Sequence, residues 1–234
     1  KLSEAPGCPG FEGSGGQIVQ TELKGHVDSI VSDPMNNVFA SKGSGKTIMI
    51  AAHMDEIGLM VKHIDEKGFL RFAKLGGISD QLLLGQRVTI HTKKGPIPGV
   101  VGCKPIHLMK EDERKKLLPY EKMFIDFGES TREDVTAAGI KIGDPIVINR
   151  TVTELGKGML CGKAFDDRSG CAILIEVLKQ AKPTNKLVGV FTIQEEVGLR
   201  GATVSAFAVN PDLGIAIDTS AAADHPEVEE YEGP

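Results

Sequence analysis

Three apolar runs in this 234-residue sequence end on residue types that can bind metal or move protons. Thr47-Ile48-Met49-Ile50-Ala51-Ala52 leads into His53. Leu187 to Ile193 leads into Gln194-Glu195-Glu196, and Leu213 to Ile217 leads into Asp218. An acidic pair, Asp166-Asp167, opens a further apolar-patterned stretch. In open α/β sheets ligands bind beyond the carboxyl ends of the strands, so these groups are expected to share one crevice. Five carboxylates and an imidazole at short range repel strongly in low dielectric, and a bound divalent cation is the simplest remedy. The donors are imidazole and carboxylate without thiolate, a set that suits Zn²⁺, Co²⁺ or Mn²⁺. His53 and Asp55 are two residues apart, on the same side of an extended segment. The Asp55 carboxylate could therefore hold the proton-bearing nitrogen of His53 and aim the other nitrogen at metal.

Each member also has a plainer reading. Asp166 or Asp167 could cap a helix, since Asp is a preferred N-cap. Glu195-Glu196 could be exposed charges at a strand end, Asp218 a turn residue and His53 a satisfied core histidine. Joint placement, rather than any one residue, argues for metal. Two decoys fall away. Gly43-Ser44-Gly45-Lys46-Thr47 imitates a phosphate loop, but Ala40 stands where the Walker pattern needs glycine and a strand follows. His63, His91 and His107 scatter without ligand spacing.

The elements that must position these groups read as an α/β domain. Continuous apolar, β-branched runs suit strands covered on both faces in a mostly parallel central sheet flanked by helices. Arg168 to Ala181 carries Cys171, Leu174, Ile175 and Leu178 at helical spacing, with Ile173 and Val177 widening the apolar face. Lys179 and Lys182 sit at its C-terminus and Pro183 ends it. Gly201 to Val209 reads as a second helix. Gly13-Ser14-Gly15-Gly16 is expected to be a flexible turn or a join before a helix-like stretch, Gln17 to Leu23. From about residue 59 to 152, short strand-like runs such as Arg87 to Thr92 and Pro145 to Ile148 alternate with Gly, Pro and charged turns. That predicts a small β-rich domain, 59–152, inserted between residues 1–58 and 153–234 of the α/β domain. The charged run Met109 to Leu117 reads as a solvated helix face.

Composition narrows the function. With 27 basic and 32 acidic residues the net charge is −5, and no Lys/Arg block suggests nucleic acid. No apolar run approaches the roughly 18 residues of a membrane span. The N-terminus shows no secretory apolar region, and four cysteines (Cys8, Cys103, Cys161, Cys171) form no C-x-x-C pair; reduced thiols in a cytoplasmic protein are the expectation. No Trp and two Tyr leave few platforms for stacking sugars or bases.

Ala51-Ala52-His53-Met54-Asp55-Glu56-Ile57-Gly58, Ala164-Phe165-Asp166-Asp167-Arg168-Ser169-Gly170, Gln194-Glu195-Glu196-Val197-Gly198-Leu199-Arg200-Gly201 and Ala216-Ile217-Asp218 together resemble the tetrahedral aminopeptidase and glutamyl aminopeptidase family of dinuclear metallopeptidases. Some members of that family carry a cellulase label. Gly102 to Met109 and Ile125 to Gly128 extend the likeness into the insert, so it covers nearly the whole chain. The resemblance implies a metallopeptidase fold and two divalent ions per chain. It makes Asp166 the bridge between the ions, His53 and Asp218 the other ligands of the first, and Glu196 a ligand of the second. Asp167 follows Asp166 through a peptide bond that is often cis. Glu195 becomes the general base and Asp55 the support of His53.

On that basis Glu195 takes a proton from water as it attacks the scissile carbonyl of a short peptide and returns it to the leaving amine. The insert becomes a dimerisation domain, and homodimers assemble into a tetrahedral dodecamer. Family members usually continue for roughly another hundred residues, where a histidine completes the second site. Here the sequence stops at Pro234, and His225 does not match that position. The resemblance therefore implies an α/β domain incomplete at its C-terminus, and it leaves a non-catalytic assembly subunit beside the enzyme. A glycoside hydrolase using Glu195 with Asp166 is the remaining alternative.

Overall fold

Residues that are apolar on both sides of a strand need cover on both sides, and that requirement shapes the centre of this fold. In the computed structural model, which describes residues 1–224, 226 and 228, the order is α1 (Gly13–Leu23), β1 (Ser29–Ser32), β2 (Val38–Lys42), β3 (Thr47–His53), β4 (Gly58–Ile64), β5 (Leu70–Leu75), β6 (Arg87–Thr92), β7 (Gly95–Gly102), α2 (Glu111–Arg114), β8 (Phe124–Asp126), α3 (Arg132–Ala138), β9 (Pro145–Ile148), β10 (Thr153–Leu155), β11 (Met159–Cys161), α4 (Phe165–Gln180), β12 (Lys186–Thr192), α5 (Arg200–Val209) and β13 (Leu213–Ala216). The central sheet runs β1-β2-β12-β3-β13. β12 and β13 flank β3 in parallel, whereas β2 is antiparallel to β12 and β1 to β2. The sheet is therefore mixed, and its parallel half ends at the candidate residues.

Register aligns the ends of that half. Thr192 pairs with His53 and Ala216 with Ala51, so Glu195, Asp218 and His53 leave the sheet at one rim. All of β12 beyond Lys186 is buried, as a doubly covered strand should be. α4 covers one face with Cys171, Leu174, Ile175 and Leu178. Helix and strand approach closely because β12 has a glycine there: a Cβ on Gly189 would come within 2.6 Å of Leu178 Cδ1. The Lys179 ammonium at the helix C-terminus lies 2.9 Å from Glu22, tying α4 to α1.

Strands β4-β5-β8-β7-β6-β9 close into a six-stranded barrel. Its interior is filled by the alternating residues Leu59, Val61, Leu70, Phe72, Val88, Ile90, Ile125 and Ile146. No helix among the described residues is long and apolar enough to cross a membrane.

Three expectations need correction. Gly13 to Gly16 is not a loose turn; it is the first turn of α1, with Gly15 and Gly16 buried. The absence of side chains is useful there, because a Cβ on Gly15 would sit 3.3 Å from the Arg168 guanidinium. Ile173 and Val177 do not join the buried face of α4, since they point from the side of the helix away from the sheet and are exposed. Leu213 and Ile215 are exposed too, because β13 is the sheet edge among the described residues. The Gly43 to Thr47 segment is a turn between β2 and β3, with positive φ at Gly43 and Gly45.

Candidate metal centre

His53 ends β3 and is 4% exposed. Its Nδ1 lies 3.0 Å from the backbone carbonyl of Asp55. A carbonyl only accepts, so Nδ1 carries a proton, which leaves Nε2 as the ring nitrogen facing the crevice. Around Nε2 stand Asp166 Oδ1 at 3.1 Å, Asp218 Oδ1 at 3.8 Å and Glu195 Oε2 at 3.9 Å. Donors held about 2 Å from one tetrahedral ion lie roughly 3.4 Å apart, so these spacings suit a cation among them. One donor each from His53, Asp167 and Asp218 also lie within 4.8 Å of one another.

Adjacent carboxylates divide the work at the start of α4. Asp167 is fully buried; its Oδ2 accepts the His53 amide and its Oδ1 accepts the Gly170 amide, each at 3.1 Å. It is both helix cap and anchor for the end of β3. A side chain at Gly170 would collide with that carboxylate. Asp166, joined to it by a cis peptide bond, is 59% exposed at its side chain and faces the imidazole.

The Asp55 carboxylate lies beside the imidazole and also has a second task. Its Oδ1 is 3.4 Å from His53 Nδ1, farther than the carbonyl of the same residue. Its closer partners are the amides of Glu195 at 2.9 Å and Glu196 at 3.0 Å. The carboxylate thus supports the loop of the paired glutamates as well, and the main-chain carbonyl shares in orienting the imidazole. Glu196 turns toward the barrel side, where Gly76 leaves it room: a Cβ there would sit 2.9 Å from its Oε2.

Crowding shows in the protonation equilibria. Burial would lower the His53 pKa, but the carboxylates of Asp55, Asp167 and Glu195 outweigh it and raise the ring to about 9. Burial, reinforced by Asp166, pushes Glu196 up to about 7. Burial raises Asp167 to about 6 despite the relief from His53. Glu195 is raised by burial as well, with Asp218 and Asp55 adding to it. With protons alone to neutralise it, the cluster draws them in; a divalent cation supplies the same compensation without closing Nε2.

Several buried polar residues around the centre left no signal in the spacing of the sequence. Arg168, 1% exposed, donates from Nε to the Met54 carbonyl and from Nη1 to the Leu2 carbonyl at 2.7 Å, pinning the N-terminal segment against the chain leaving β3. Glu56 pairs with Lys163 at 2.7 Å and also accepts the Gly7 amide. Glu12 and Asn37 reach the loop of Glu195 from two further segments. A cleft of about 760 Å³, lined by Glu4, Arg87, His91, Arg150 and Lys163 among others, shares no residue with the acidic centre. His225 lies outside the described residues.

The chain is similar to known proteins in sequence and in fold. The sequence pattern of the M42 glutamyl aminopeptidase family matches residues 36–234. Lysyl aminopeptidase from Pyrococcus furiosus is 38% identical over 94% of the chain, which covers 65% of that protein. A TET aminopeptidase structure from a marine sediment archaeon of the Thaumarchaeota superposes with a TM-score of 0.95 at 38% identity, over 99% of this chain and 67% of that one. The TET1 peptidase of Pyrococcus horikoshii, described as assembling into a tetrahedron or a large octahedral shell, superposes with a TM-score of 0.87 at 34% identity, over 97% of this chain and 70% of that one. The chain thus spans about two thirds of the length of these relatives.

Proposed function

The chain belongs to the M42 glutamyl aminopeptidase family, and from that premise we propose that it is a metal-dependent aminopeptidase that removes N-terminal residues from short peptides. The observation that carries this reading is the ring of carboxylates around His53 Nε2, at donor-to-donor distances that fit a cation. His53, Asp166 and Asp218 would hold the first of two divalent ions, Zn²⁺, Co²⁺ or Mn²⁺, and Asp166 with Glu196 would hold the second. Asp166 is preferred over Asp167 as the bridge because both Asp167 oxygens already accept main-chain amides. When bound, such ions activate water and polarise the scissile carbonyl.

Glu195 is the general base. Its side chain is 26% exposed and its Oε2 lies 3.9 Å from Nε2, so it reaches the same space as the ligands. It takes a proton from the attacking water and returns it to the departing amine. The carboxylates at the rim attract the free α-amino group of the substrate, which favours cleavage at the N-terminus. Glu195→Gln keeps the shape and the metal but removes the base. The expected result is a protein with parental metal content and almost no turnover of an aminoacyl-p-nitroanilide; parental turnover would refute the assignment.

Residues 59–152 serve as the dimerisation domain of a homodimer that builds a tetrahedral dodecamer. Exposed Leu82, Ile106, Leu108 and Leu117 in this region support that role. Native mass spectrometry of the natural protein tests it, and a monomer at micromolar concentration would count against it.

A further inference from the structure

Past Thr192 the chain leaves the sheet, so the next four amides lose their strand partners, the first at a buried position and the other three at half-buried ones. Such amides are rarely left unpaired. Each of the four donates to a side chain. The Ile193 amide reaches Asn37 Oδ1 at 3.0 Å and the Gln194 amide reaches Glu12 Oε1 at 3.1 Å. The amides of Glu195 and Glu196 reach the two oxygens of Asp55. These acceptors are almost wholly buried and come from three separate segments: the turn between β1 and β2, the start of α1 and the chain just past β3.

The acceptors are themselves held. Asp33 accepts the Asn37 amide at 2.9 Å and its Nδ2 at 2.7 Å, which fixes the direction of Asn37 Oδ1. Glu12 Oε1 also accepts the Gly10 amide at 2.8 Å. On the opposite side of the loop, the carbonyls of Ile193, Gln194 and Glu195 accept amides from Gly201, Arg200 and Leu199, at 3.0, 3.3 and 3.0 Å. Gly201 has to be glycine, because a Cβ would run into both Asn37 Oδ1 and the Ile193 carbonyl. Gln194 is held at φ 53°, a left-handed conformation that costs an ordinary residue free energy and persists only where surroundings dictate it.

We propose that Glu12 and Asn37, together with Asp55, form a side-chain cradle that positions the loop bearing Glu195 and Glu196, and that Glu12 and Asn37 are positioning residues for the peptidase reaction. The proposal rests on Glu195 being the base. The physical reason is leverage: Asp55 is two residues from His53, so the amides it holds tie the base loop to the imidazole, while Glu12 and Asn37 prevent the loop from rotating about that tie. A misplacement of about 1 Å at a reacting group can cost about 10²-fold in rate.

The test uses the full natural protein loaded with metal. Glu12→Ala is expected to lower kcat about 10²-fold with KM changed less than about threefold. Glu12→Gln, which keeps an acceptor oxygen, restores most of kcat. Hydrogen exchange read by mass spectrometry gives a measure independent of activity: the 193–196 amides exchange faster in Glu12→Ala and at the parental rate in Glu12→Gln. If Glu12→Ala does not fold, Glu12→Asp takes its place. That variant retains the charge but draws the acceptor back by one methylene, and the same fall in kcat is expected. Parental kcat or parental exchange in the alanine or aspartate variant overturns the cradle. Glu195→Gln run in parallel separates the two readings. Full turnover there removes the base assignment; no turnover there, with parental kcat at Glu12, removes the cradle alone.

Discussion

The barrel and the acidic rim of the sheet solve opposite problems with the same chain. Inside the barrel, Leu59, Leu70, Val88, Ile90, Ile125 and Ile146 are fully buried and apolar. Every buried polar or charged side chain among the described residues lies outside the barrel strands, with Glu12, Asn37, His53, Asp55, Glu56, Asp167 and Arg168 gathered around the rim. The barrel is stabilised by removing apolar surface from water, a non-directional force that tolerates exchange of similar residues. The rim depends on directed hydrogen bonds among buried charges, where losing one partner leaves another uncompensated. The two regions meet where Phe11 packs against His91 at 4.9 Å, where Gly58 abuts Cys8 and where Gly76 lies beside Glu196. Substitutions inside the barrel should therefore change stability and leave the chemistry of the rim as it was.

The largest break is expected at Asp55→Ala. It strips the acceptor from two buried amides and disturbs His53, and kcat should fall by about 10³-fold or more. Steady-state kinetics that show less than a tenfold loss would mean that the loop holds itself. Arg168→Ala leaves the Met54 and Leu2 carbonyls without their donor and is expected to cost about 3–5 kcal/mol in urea unfolding, since a buried charge network loses its cation. Ile125→Ala should cost about 3 kcal/mol as a barrel cavity while kcat per folded molecule stays parental. A kcat loss there would erase the distinction between the regions.

The smallest effect is at the seam. Cys8 is fully buried against Gly58, and burial, helped by Glu56 and Glu12, pushes its thiol from 9.0 up to about 12. Iodoacetamide at pH 8 should label exposed Cys161 and spare Cys8 and Cys171; equal labelling would show that the seam opens. The sign for stability follows from linkage. The folded thiol keeps its proton when the unfolded one has lost it. Cys8 therefore contributes its full share below pH 9.0, and that share is lost as pH rises toward about 12. Urea midpoints measured across that range should fall.

Local pattern was enough for whatever depends on neighbours in the chain. The apolar runs before His53, Glu195 and Asp218 marked the parallel strands, helical spacing marked the buried stripe of α4, and parallel register then required the three ends to meet. Only the tertiary structure decided the partners. Nothing in Gly10-Phe11-Glu12 or Asn36-Asn37 announces that these side chains will receive amides 182 and 156 positions away. Nor does the pair Asp166-Asp167 reveal which carboxylate faces the crevice and which is sealed beneath it. Periodicity records which face of an element is apolar, because burial acts on every residue of the face alike. A hydrogen bond between distant segments depends on the position and direction of single atoms, and those exist only once the segments have packed.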